Sequence, residues 1–219
     1  LKNLGYYFSK VETFVEYLDN NKINIRYQIE LGNKAKIRKI SFIGDKIYKT
    51  SKLRSLIVSE EYKFWKFISG KKYLNEQITS LDERLLKNFY LNQGYYDVQI
   101  NTSYAKLVNE DEFELIFSIT PNKKFFFNEL TITLPSDFQK ENYSELYKKL
   151  NKFKGEKYSI NIVKEILETI DRITVFEEYK SVKAFVDENF KENKINFNLI
   201  IEETPKIFVE KINIFGNNV

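Results

Sequence analysis

The side chains that most often carry chemistry are missing from this sequence. Its 219 residues include no His, no Cys and no Met, which removes the imidazole base, the thiol nucleophile, any disulfide framework and the usual soft-metal ligands. No G-x-x-x-x-G-K-[ST] phosphate loop occurs. Carboxylates remain, with Glu110-Asp111-Glu112 and Glu202-Glu203 the densest groups. Such pairs can share a proton or hold a hard cation, but both lie in turn-like or alternating stretches where solvated surface charge is the simpler reading. No catalytic residue, metal site or cofactor is expected, and the chain is not expected to be an enzyme.

Phosphate recognition is the next chemistry to weigh. Basic residues number 35 against 31 acidic ones, a net charge of +4, and the two signs interleave along the chain instead of forming a stripe. Pairs such as Lys71-Lys72 and Lys148-Lys149 read as ordinary surface. Aromatics are abundant, with 15 Tyr and 19 Phe, yet no G-x-x-G loop accompanies them, and Phe125-Phe126-Phe127 reads as the opening of a buried strand rather than a stacking platform. A nucleic-acid partner is not expected, although a nucleic-acid-binding repeat array stays as the rival reading.

The remaining functional group is the backbone. A sheet edge with free N–H and C=O groups accepts an extended chain by strand addition without any special side chain. Each such hydrogen bond contributes about 0.5–1.5 kcal/mol net, which suits transient handling of many sequences. Edges that are solvated or packed on a neighbouring domain give the competing reading.

The elements that would position such an edge show themselves as a repeat. Three alternating runs, Ile23 to Ile29, Phe113 to Ile119 and Ile195 to Ile201, are each followed by a turn and a second run. Ile23 to Ile40, Phe113 to Leu130 and Ile195 to Ile212 span the same 17-residue interval. Period-2 alternation marks strands with one buried face, and the Gly or Pro between runs marks a turn. Leu4-Gly5-Tyr6-Tyr7 and Gln93-Gly94-Tyr95-Tyr96 match at an offset of 89 residues. Both glycines read as helix stops. Between these landmarks Asn75 caps a helix carrying Ile78, Leu81, Leu85 and Phe89, and Ser159 starts its counterpart with Ile162, Ile166 and Ile170. Shorter helices precede them, at Ser51 to Ile57 and around Tyr143 to Leu150.

Each unit is therefore strand, helix, helix, strand, strand, and the fold class is α+β, in tandem βααββ domains whose three-stranded sheets are covered on one face by two helices. The expected boundaries are 1–34 for the C-terminal part of one domain, 35–121 and 122–204 for two complete domains, and 206–219 for the first strand of another. No apolar run approaches the roughly 20 residues of a membrane helix, and no signal-peptide pattern opens the chain. Starting at Leu1 without an initiator Met, the sequence reads as a piece of a longer protein.

Three segments carry a family resemblance: Glu61-Tyr62-Lys63-Phe64-Trp65-Lys66-Phe67, Arg84 to Leu91 leading to Gly94-Tyr95, and Val209 to Asn217. With the repeat, they resemble the polypeptide-transport-associated (POTRA) domains of the BamA family of outer-membrane barrel-assembly proteins, in its alphaproteobacterial form. The resemblance implies mixed sheets, and it implies that 1–34 ends the second such domain, 35–121 and 122–204 are the third and fourth, and 206–219 opens the fifth. It implies a periplasmic location ahead of a C-terminal membrane barrel absent from this piece. The implied partners are unfolded outer-membrane proteins, accessory assembly lipoproteins and that barrel. POTRA-bearing secretion or translocation transporters remain the nearest alternative. The family also places strand addition at the second strand of the unit, which here is Val98, Gln99, Ile100, Asn101, Thr102, Ser103 and Tyr104. Ile100, Thr102 and Tyr104 fall on one face and Gln99, Asn101 and Ser103 on the other. The equivalent strand of the first, partial domain is Val11 to Tyr17. The 122–204 domain departs from the pattern, with Leu134-Pro135 in place of Gly44 or Gly216, and no edge is assigned there. Phe64, Trp65 and Phe67 are a second candidate, an exposed docking patch on the interhelix loop, beside the reading that they close the helix–sheet core.

Overall fold

Alternating apolar residues fold here as strands because successive side chains of an extended chain face opposite ways. The computed structural model describes residues 1–19, 21–44, 47–65, 70–106, 109, 111–176 and 181–205. In chain order the elements are β1 (Lys10–Leu18), β2 (Lys22–Glu30), β3 (Lys36–Ile43), α1 (Thr50–Arg54), α2 (Glu76–Leu91), β4 (Gln99–Lys106), β5 (Glu112–Thr120), β6 (Phe126–Thr133), α3 (Ser144–Phe153), α4 (Ile160–Phe176), β7 (Ser181–Lys191) and β8 (Lys194–Thr204). The chain packs as two units, Leu1–Leu91 with Tyr95–Asn122, and Asn92–Gly94 with Lys123–Val219. The expected strand at 206–219 lies outside the described residues.

In the first unit β5 is the central strand of a mixed sheet ordered β3-β5-β4, parallel to β3 and antiparallel to β4. Leu115, Phe117 and Ile119 of β5 are fully buried with Ile37 and Ile40 of β3, Leu53 of α1, and Leu86 and Tyr90 of α2. Burial of each such side chain contributes roughly 1.5–3 kcal/mol, so this shared core holds both helices on one sheet face. Asn75 caps α2 as its sequence suggests: its side-chain oxygen accepts the N–H groups of Gln77 (2.9 Å) and Ile78 (3.1 Å). Gly44 closes β3 at φ 82°, where a Cβ would stand 2.5 Å from the carbonyl oxygen of Ile119. Only glycine satisfies both demands.

The second unit repeats the topology as β6-β8-β7, again parallel then antiparallel. Leu146 and Leu150 of α3, Ile166 and Ile170 of α4, and Leu199 and Ile201 of β8 form its core. Phe127 packs on Phe197 and Tyr158 at ring distances of 5.4 and 5.5 Å. The Phe125-Phe126-Phe127 run alternates as a strand opening should, with Phe125 and Phe127 buried and Phe126 partly exposed.

Three local expectations are corrected. The β1–β2 hairpin has no buried face: every position of both strands is exposed. Its pairing nonetheless aligns Val11 with Ile29, Val15 with Ile25 and Tyr17 with Ile23, so the apolar face exists and, among the described residues, no helix covers it. α1 ends at Arg54, short of Leu56 and Ile57, because Leu56 N–H bonds to Leu53 O at 3.1 Å and the Ser55 hydroxyl to Lys52 O at 2.7 Å. Those i→i+3 bonds tighten the last turn and close the helix. Tyr143 sits in a 3-10 turn, Lys140–Tyr143, that precedes α3. Ser159 stands at the start of α4, as expected, directly before Ile160. It donates to Asn92 Oδ1 (2.7 Å), and that same oxygen accepts the N–H of Asn161 (3.0 Å).

Candidate functional site

With β5 in the centre, the first-unit sheet has two edges, and they differ. Along β3 the outward backbone groups have partners from Ala35 to Ile40. Ala35 O accepts from Leu74 N–H (2.9 Å) and Ile37 O from Tyr62 N–H (2.6 Å). Ile40 N–H donates to Glu61 Oε1 (3.0 Å), and Ile40 O accepts from Arg54 Nη2 (2.9 Å). Arg54 and Glu61 pair at 2.8 Å. Along β4, among the described residues, no backbone group of Gln99–Lys106 bonds to anything except β5. The sheet thus offers one open edge.

That edge alternates in burial as well as in sequence. Ile100 and Thr102 are half-buried, whereas Gln99, Asn101 and Ser103 are exposed. The inner face is fastened to α2, since the Thr102 hydroxyl donates to the Glu83 carboxylate and the Tyr104 and Thr79 hydroxyls share a hydrogen bond at 3.0 Å. Tyr104 is 38% exposed and meets the Tyr7 ring edge-on, centroids 6.3 Å apart. Tyr7 donates from its hydroxyl to Glu76 (3.3 Å). Burial first, then Tyr104 and Glu76, push the Tyr7 phenol well above its ordinary range, so it remains a neutral donor. Val98 is not part of the edge: it is buried, and its N–H bonds back to Tyr95 O at 3.3 Å as the chain turns into β4. Of the seven positions read as an edge, six, from Gln99 to Tyr104, lie on the strand.

The interhelix aromatics stand elsewhere in the unit. Phe64 and Trp65 are 72% and 58% exposed and touch each other edge-to-face at 4.7 Å. Lys63 Nζ lies 5.7 Å from the Trp65 ring centroid, a cation–π distance. Phe67 lies outside the described residues. In the second unit β7 pairs, among the described residues, with β8 alone over eleven residues, while the start of β6 is covered by backbone, Phe127 N–H bonding to Glu156 O (2.9 Å) and Gly155 N–H to Phe127 O (2.8 Å). Among the described residues no group of three or more acidic side chains is placed to hold a metal ion, and no helix is long and apolar enough to cross a membrane.

One organising residue escapes the sequence reading. Asp82 of α2 is fully buried and accepts the N–H groups of Val58 (2.5 Å) and Ser59 (3.2 Å). Desolvation raises its pKa. It fastens the segment from Val58 to Tyr62 that covers the β3 edge. The available signal is its place one turn before Leu86 and two before Tyr90, on the buried row of the helix.

Comparison with known proteins follows this geometry. Residues 35–122 match the model of the POTRA family, described as surface antigen variable number repeat. Over 206 residues the chain is 28% identical to the outer membrane protein assembly factor BamA of Neisseria meningitidis, covering 93% of this chain and 26% of that protein. The BamA of Buchnera aphidicola is 26% identical over 208 residues, 91% of this chain and 32% of that protein. The chain therefore spans about a quarter to a third of the relatives it matches. The crystal structure of Haemophilus influenzae BamA POTRA3-5 shares the fold, with a TM-score of 0.59 at 16% identity over 92% of this chain and 75% of that one. The mixed α+β sheets described above match the fold of that structure.

Proposed function

We propose that this chain, a match to the POTRA family at residues 35–122 and similar to BamA over most of its length, is periplasmic scaffold from an outer-membrane assembly factor. It holds extended polypeptide at the β4 edge. Its clients are unfolded outer-membrane proteins, with accessory assembly lipoproteins as further partners and a C-terminal membrane barrel as the place of delivery. It performs no catalysis. Residues 1–34 belong to one POTRA domain, 35–121 and 122–204 are two more, and 206–219 begins another.

The observation that carries this reading is the asymmetry of the first-unit sheet. β3 has its outward groups satisfied from Ala35 to Ile40, whereas β4 keeps a row of backbone donors and acceptors with no partner beyond β5 among the described residues. An extended client bonding there reads backbone, and the exposed Gln99, Asn101 and Ser103 flank it without demanding a sequence. At about 0.5–1.5 kcal/mol per bond, four or five bonds give an affinity that captures a client and releases it.

Site-specific photocrosslinking tests this. A photoreactive residue at Asn101 or Ser103 is expected to capture an unfolded outer-membrane protein, and one at Lys39, beside the closed β3 edge, is not. Capture should persist as salt rises, since few phosphate-like charges are involved. Equal capture at Lys39, or capture abolished by modest salt, overturns the assignment.

A further inference from the structure

A sheet edge is usually masked by shortness, by charge or by a covering element. The β3 edge is masked by imitation. The chain after α1 returns beside it and supplies what a neighbouring strand would supply: a backbone donor from Tyr62 to Ile37 O at 2.6 Å, an acceptor for Ile40 N–H in Glu61 Oε1 at 3.0 Å, and a donor for Ile40 O in Arg54 Nη2 at 2.9 Å. Because Arg54 and Glu61 are themselves joined at 2.8 Å, the two side chains act together as one peptide group, an acceptor and a donor held side by side. In the second unit the start of β6 is covered by the backbone of Gly155 and Glu156, and among the described residues the side-chain pair is a feature of the first unit.

We propose that the Arg54–Glu61 pair is an edge plug whose role is to stop β3 from pairing with β3 of a second copy of this chain. Two features make a second copy the partner to be excluded. Identical strands meeting edge to edge form a self-complementary two-fold contact, so one exposed edge suffices for both partners. The charges that would oppose such a contact are already neutralised within the sheet: Lys36 pairs with Asp111, Arg38 with Glu112 and Lys39 with Glu114, at 2.8, 2.6 and 2.8 Å. The usual defence, like charge along the edge, is thereby spent, and the plug takes its place. Glu61 acts as an acceptor here and Arg54 as a donor. This inference does not depend on strand addition at β4.

The test combines amide exchange with sedimentation velocity on the unchanged chain, on Glu61→Gln, which keeps the acceptor oxygen, and on Arg54→Ala with Glu61→Ala. In the unchanged chain and in Glu61→Gln the Ile40 amide is expected to be protected although it faces away from β5. In the double variant it should exchange at least tenfold faster when dilute. On concentration that variant should associate beyond the unchanged chain and regain protection at Ile40. Arg54→Ala alone frees only the Ile40 carbonyl, leaves Glu61 as acceptor for the Ile40 N–H, and should associate in the same way at higher concentration, which keeps the test open if the double variant unfolds. An unprotected Ile40 amide in the unchanged chain overturns the proposal. So does a folded double variant that associates no more than the unchanged chain, or an association that protects β4 instead of β3.

Discussion

Asp82 joins two consequences that pull in opposite directions. Its carboxylate satisfies two buried N–H groups at the start of the β3-covering segment, yet burial disfavours its charge. Asp82→Ala should therefore lower stability by about 1–3 kcal/mol, the usual penalty for leaving buried donors unpaired, with Asp82→Asn milder because one acceptor oxygen survives; urea unfolding of both variants checks this. Elsewhere the signs are ordinary. Hydrogen bonding from Lys36 holds Asp111 below the usual carboxylate range, and Lys39 and Ser41 do the same for Glu114. Carboxylates with depressed native pKa values favour the folded state at pH values above the unfolded pKa of about 4. That contribution disappears as pH falls through the lower native values, whereas Asp82, shifted upward, adds stability earlier in the descent, as pH falls from its raised native pKa to the unfolded value of about 4. The chain's acid sensitivity below about pH 4 should accordingly shrink in Lys36→Met, read as a flatter midpoint-versus-pH curve. Asp111 and Glu112 were legible only as surface charge, because their cationic partners lie some 75 positions away in sequence. Phe64 and Trp65 were open between core and surface on the page, since an interhelix loop fixes no burial pattern, and the structure places both outside.

At the scale of elements, the strands were the most legible parts and the helix ends the least. Alternation located β2, β5 and β8, because a sheet with one covered face imposes period 2 directly on the residues. Asn75 was readable as a cap, and Asn75→Ala should cost roughly 1 kcal/mol, measured as a fall in denaturation midpoint. Ser159 was readable as a helix start, whereas the acceptor its helix takes from Asn92, 67 residues earlier, was not, because no local pattern carries that. α1 was drawn too long, since Leu56 and Ile57 keep contact with the core after the helix has ended. Gly44 shows where a turn reaches further than its own residues. Its positive φ and the 2.5 Å approach to Ile119 O mean that Gly44→Ala should destabilise by more than the roughly 1–2 kcal/mol of a left-handed alanine, because the end of β3 must also move off β5. Thermal unfolding of that variant gives the comparison.

Among the described residues, the β1–β2 hairpin leaves a large apolar surface uncovered. Val11, Val15, Tyr17, Ile23, Ile25, Tyr27 and Ile29 lie on one face of the β1–β2 hairpin, all exposed, where the corresponding strands of both sheets pack on helices. The expectation of a buried face came from alternation alone, and alternation reports that a face is suited to cover without supplying the cover. This surface is large enough to be sticky. The chain is expected to bind a hydrophobic dye, and Val15→Glu with Ile25→Lys, an opposed pair in the hairpin register, should lower dye fluorescence severalfold without moving the unfolding midpoint. The resemblance supplied the position of the expected edge, which the repeat spacing could not show. The blocking of β3 was not legible, because Glu61 and Arg54 acquire their roles only once α1 turns the chain back. The most direct measurement of the central claim is amide exchange across the first-unit sheet with and without a saturating unfolded outer-membrane segment. The account predicts new protection confined to Gln99–Tyr104 of β4 and none added along Ala35 to Ile40; protection gained at β3, or at neither edge while the segment is bound, would contradict it.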